Sequence, residues 1–148
     1  MELLAKYLHL IGAIVWLGGM TFMLLALRPV TTAQLQPPAR LLLLSGVLAR
    51  FFSVAWISVG LLAATGAYML GAVGMENAPI GWHMMMGIGL LMFAIFGHLY
   101  FGPARRLQTA VAQANWPQAG EQMAKIHPLV VINFALGWLA IAAVLFLR

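Results

Sequence analysis

The sequence predicts an all-α membrane protein: a four-transmembrane-helix bundle in an N-out/C-out arrangement. Three observations predict it. First, 64% of the 148 residues are hydrophobic and 7% are charged, with a mean hydropathy of +0.97. That leaves too little polar surface to cover a soluble domain of this size. Second, four apolar runs, at about 3–27, 52–70, 82–101 and 129–147, each approach the roughly 20 residues that cross a bilayer as a helix. Third, six of the eight Lys and Arg residues fall in the first and third connections. The positive-inside rule makes those connections cytoplasmic and turns both termini and the second loop outward.

The first run is too long for the core of a secretory leader, and no small-x-small site with a polar chain follows it. It reads as a retained helix. The connection 28–50 carries Arg28, Arg40 and Arg50, with Pro37 and Pro38 as breakers. Pro38 suits a helix start at Ala39, and Leu41, Leu44, Val47 and Leu48 lead on into the second run. The resulting helix, near 30 residues, is too long for a perpendicular crossing. Its start therefore belongs at the cytoplasmic interface, with Arg40 and Arg50 reaching toward headgroups. The loop 71–81 has no Lys or Arg and carries Glu76. The connection 102–127 carries Arg105, Arg106 and Lys125, and its stretch 103–124 predicts a short interfacial helical excursion interrupted at Trp116 and Pro117. No internal repeat, low-complexity tract or second domain is visible. Residues 1–148 read as a single four-helix transmembrane domain of a bacterial-type inner (cytoplasmic) membrane.

There is no cysteine. That excludes disulfides, zinc–thiolate sites, iron–sulfur clusters and c-type haem attachment. The net charge of +5 sets topology through its placement and gives no argument for nucleic acid.

Four histidines lie in or at the edge of the spans. His9 and His83 fall near the outer face, His98 and His127 near the inner one. Ionisable residues inside spans are costly and usually functional. From His83 to His98 is a rise of roughly 22 Å, with the two side chains about 60° apart around the axis. Gly87, Ala94 and Gly97 share that face. Small residues there would admit a flat macrocycle, or simply a neighbouring helix. Two neutral imidazoles facing each other suit the axial positions of a haem iron. The expectation is haem b, one or two per chain, held by His9, His83, His98 and His127. Arg28, Arg50, Arg105 and Arg106 would meet the propionates. A histidine at a helix end, as His127 is before Pro128, also reads as an ordinary interfacial residue.

Ten methionines offer a second chemistry. Met84, Met85 and Met86 follow His83, with Met69 and Met75 near the same face. Thioether and imidazole both suit copper(I), although methionine is also a common filler of helices and three in a row point three ways. Met20, Met23 and Met92 lie between the two levels, with Thr21, Ser58 and Thr65 as polar helpers. Trp16, seven residues past His9, could stack on a ligand or pack in the core.

The pattern His9, Gly12, Trp16, Gly18, Gly19 and Met20 resembles the first helix of the copper-resistance protein D (CopD)-like family of four-helix integral membrane proteins. The resemblance continues through Arg28 and Pro29, Arg50 to Phe52, Thr65 to Tyr68, and His127 with Asn133 and Gly137. It covers most of the chain and implies copper uptake. The first helix is also similar to that of the HemJ-like protoporphyrinogen oxidases, in which a histidine at the His9 position is implicated in haem binding. The general plan is similar to that of bacterial four-helix di-haem cytochromes b.

The sequence thus ranks a bis-histidine haem protein first. Saturated iron favours electron transfer, with a quinol or a redox protein as partner, and any enzyme activity would be that of a haem-dependent membrane oxidoreductase. CopD-like copper binding or transport comes second and reuses the same histidines. A porphyrinogen oxidase is third. An assembly subunit of a larger membrane complex is fourth, and a homodimer is compatible with each.

Overall fold

Lipid offers no partner to a free N–H or C=O, so long apolar runs must satisfy their backbone internally as helix. The computed structural model of the chain describes residues 1–147. Four helices form: α1 (Glu2–Gln34), α2 (Pro37–Val73), α3 (Ile80–Ala112) and α4 (Trp116–Phe146). Among the described residues there is no strand. Every helix contains an apolar window long enough to cross a membrane, so this is a multi-pass membrane protein in a lipid bilayer.

The ends have local causes. Leu35 is extended, and Pro37 and Pro38 occupy the first turn of α2, where the missing N–H costs nothing. Gly74 ends α2 at φ +83, a conformation that glycine adopts without penalty, and its N–H closes on Leu70 O. Asn115 caps α4, accepting from the Gln118 N–H at 3.3 Å.

The second helix starts at Pro37, within two residues of the sequence-based start. The excursion over 103–124 takes a different form from the one expected. Its first part continues α3 through Pro103, its last part opens α4, and the break falls at 113–115 instead of at Trp116 and Pro117. Pro103 widens the helix into a π-turn, Tyr100–Ala104, without ending it. Pro117 sits in the first turn of α4, where proline is at home. A second π-turn, Met23–Leu27, interrupts α1 and closes with Arg28 N–H on Met23 O. Pro29 follows Arg28. The proline cannot donate to Leu25 O, and its ring crowds that carbonyl, so the preceding turn opens.

The helices pack as two antiparallel hairpins, α1 on α2 and α3 on α4. Glycines set both seams, as close approach in lipid requires. Gly12 faces Leu62 and Ser58 O, and Gly19 lies under the Phe51 ring. Gly81 abuts the carbonyls of Ala143 and Leu147 and donates its N–H to Leu147 O at 2.9 Å. The hairpins join through Trp16, Phe52, Trp56, Phe93, Phe96 and Tyr100, with ring centroids 5.1 to 6.1 Å apart. Such pairs contribute roughly 0.5–1.5 kcal/mol each beyond their area. Ile14, Leu25, Ile57, Leu90 and Leu139 point outward, as lipid-facing residues should. Residues 1–10 and the turn 74–79 share one end of the bundle with the end of α4. Arg28, Arg40, Arg105 and Arg106 lie toward the other.

Candidate functional site

His9 projects from α1 into the seam with α2. Its Nδ1 lies 2.8 Å from Thr65 Oγ1. The Thr65 hydroxyl donates to Leu61 O at 2.6 Å, so its oxygen is left to accept. A ring proton on Nδ1 fits that acceptor, and the backbone of Leu62 on α2 gives the ring a second hydrogen-bond partner. Gly66 lies beside the ring, and a Cβ there would meet His9 Cε1 at 3.5 Å, an ordinary contact. A ligating histidine is usually held this way, with its second nitrogen donating to an oxygen.

His127 sits in the other half of the membrane and faces inward. It lines a cleft with Met23, Leu24, Arg28, Leu44, Leu48, Met123, Ile126 and Val130. The cleft measures about 30 Å³, room for an ion or a water or two. Met123 and His127 are four residues apart on α4, so they share a face. Met23 and Arg28 are five apart on α1, a spacing that a regular helix would splay around the axis. The π-turn between them brings both to the cleft. Met23, Met123 and His127, from two helices, thus line one cleft, and their residue types suit a soft ion such as copper(I).

Between these levels the interior holds Met20, Met92 and Asn133, all buried. Asn133 Nδ2 donates to Met92 O at 3.3 Å, while its Oδ1 is buried with no partner. Ser58 and Thr65 are buried too, and Thr21 is tied to Leu17 O at 2.8 Å.

The facing imidazole pairs expected for haem are not brought together. His9 is engaged with α2, and His83 is half-buried at the start of α3, which pairs with α4. His98 is exposed on the outer surface of α3, while His127 faces α1 and α2. Among the described residues no group of three or more histidine or acidic side chains converges. The small-residue face of α3 also turns outward: Gly87 and Ala94 are exposed, and nothing approaches Gly87 or Gly97. The cleft at His127, at about 30 Å³, is far too small for a macrocycle. The physical reason is the pairing order. His9 and His83 sit on different hairpins, and within the α3–α4 hairpin His98 points out to the surface while His127 points toward α1 and α2.

Of the arginines expected beside a propionate, Arg28 alone reaches the cleft. Arg50, Arg105 and Arg106 are exposed, with Arg105 over the Phe101 ring at 5.8 Å. Trp16 is buried between Phe93 and Phe96. Met84 is exposed and Met85 and Met86 are half-buried, so the triplet diverges. Sequence reasoning missed Met123, although its spacing to His127 was the available signal.

A profile of the family described as Copper resistance protein D matches residues 45–147. The match covers three of the four histidines, Met123 and Asn133, and begins after α1. No curated protein and no solved structure matches the chain. A match over more than half of its length places this chain in the copper resistance protein D family.

Proposed function

We propose that the protein binds copper(I) inside the membrane and passes it between an outer site at His9 and an inner site at Met23, Met123 and His127. The observation that carries the reading is that two methionines and a histidine line one small cleft. Family membership supports it. The ion is cargo here. Soft neutral donors suit it because they coordinate copper(I) without adding charge. Met20, Met92 and the free Asn133 Oδ1 supply intermediate donors along the interior.

The inner site carries its own release device. Arg28 lines the same cleft, and no carboxylate does. A fixed positive charge beside a bound cation weakens its hold, so the site favours transfer over storage. By the distribution of Lys and Arg, the inner cleft lies on the cytoplasmic side.

The test is a copper(I) competition titration of the purified, detergent-solubilised protein with a chromophoric chelator. His127→Ala and the double variant Met23→Leu with Met123→Leu should each lower affinity by about tenfold or more. Unchanged affinity in both would remove the inner site. An absorption spectrum of the same sample serves as the check on haem b and electron transfer. A sharp Soret band with stoichiometric haem would overturn the copper reading.

A further inference from the structure

Arg28 also lines a second, larger cavity of about 380 Å³, together with Leu24, Pro29, Thr32 and Ala33. It opens on the outer surface of α1 at the end that carries the arginines. Arg28 is half-buried and feels the like charge of Arg40, itself half-buried. His127 feels Arg28 in turn. The chain has three acidic side chains in all. Glu2 pairs with Lys6 at 2.6 Å and Glu121 with Lys125 at 2.7 Å, while Glu76 belongs to the turn at the opposite end. Among the described residues no carboxylate is left to neutralise Arg28 and Arg40.

We infer that the cavity at Arg28 and Thr32, with the charge of Arg40 close by, binds the phosphate group of an anionic lipid. Two half-buried cations without a counter-charge call for an anion from outside the chain. Planar guanidinium groups favour phosphate, and the Thr32 hydroxyl adds a donor. Leu24, Pro29 and Ala33 give the cavity an apolar wall along which an acyl chain can lie, which a free phosphate would not use. Basic residues at the cytoplasmic end of a span attract such headgroups. The lipid would also offset the charge of Arg28 on the neighbouring cleft. This inference is independent of copper.

The experiment is native mass spectrometry of the whole chain in a neutral detergent, offered phosphatidylglycerol, phosphatidylcholine or inorganic phosphate. Wild-type protein should retain phosphatidylglycerol well above phosphatidylcholine. Arg28→Gln and Arg40→Gln should each reduce that retention about fivefold, and Arg106→Gln, outside the cavity, should leave it unchanged. If Arg28→Gln does not fold, Arg40→Gln and Thr32→Val carry the test. Equal retention in all variants, or equal binding of the two lipids, overturns the site. Displacement of the lipid by low millimolar inorganic phosphate overturns the lipid as its source.

Discussion

His9 Nδ1 lies 2.8 Å from Thr65 Oγ1, so a hydroxyl on α2 orients an imidazole on α1. Thr65→Val keeps the shape and removes the acceptor. The expected loss of stability is about 0.6–1.7 kcal/mol, the range for interhelical hydrogen bonds in membranes, read by unfolding in a mixed detergent series. With His9 as a ligand in the proposed outer site, copper affinity should fall roughly 10–100-fold, the range for outer-shell partners of ligating histidines. Thr65→Ser should restore both. A loss of stability with no change in affinity would mean that the bond is structural alone.

Gly81 marks the closest approach of α3 and α4. A methyl group there would strike the backbone oxygens of Leu147 and Ala143, which cannot swing aside as a side chain can. Gly81→Ala should therefore destabilise by about 1–3 kcal/mol and break the Gly81 N–H to Leu147 O bond. Gly87→Ala, six residues on and open on every side, should be neutral. Equal melting of the two variants would show that the helix ends are free to separate.

Asn133 allows function to be separated from stability. Its Oδ1 is buried without a partner and its Nδ2 makes one long bond, so little stability rests on it. Leucine keeps the branched shape of asparagine and leaves no polar atom at this position to be buried without a partner. Asn133→Leu should keep the fold to within about 1 kcal/mol and slow copper passage in proteoliposomes. Normal flux through this variant would remove Asn133 from the path.

The four spans were legible because lipid imposes one demand on every residue of a crossing helix, and composition answers it. The start of α2 was legible from Pro37 and Pro38 for a similarly local reason. The partners of the histidines were not. Depth follows from residue number, but the direction in which a ring points depends on which helices pair. His9 meets Thr65 because α1 packs on α2, and nothing in the sequence around His9 states that. His98 and His127 were matched in depth, yet one faces outward and the other inward. The arrival of Met23 beside Arg28 depends on a widened turn, a backbone event that a regular helical wheel misplaces.

That widened turn can be tested without touching a donor atom. Pro29 withholds an N–H from Leu25 O, and the π-turn Met23–Leu27 ends two positions before it. Pro29→Ala restores the N–H and removes the ring, so α1 can return to regular α-helical hydrogen bonding. The turn would then lose its extra residue, and Met23 would rotate away from Arg28, Met123 and His127. The fold should be as stable or slightly more stable by thermal melting, since alanine is the better helix former. Copper affinity at the inner cleft should nonetheless fall about tenfold, within the range seen when ligands lose their orientation. Met23→Leu added to Pro29→Ala should then have no further effect, because the thioether has already left the site. An additive loss in the double variant would show that Met23 stays in place and that the turn is not what positions it.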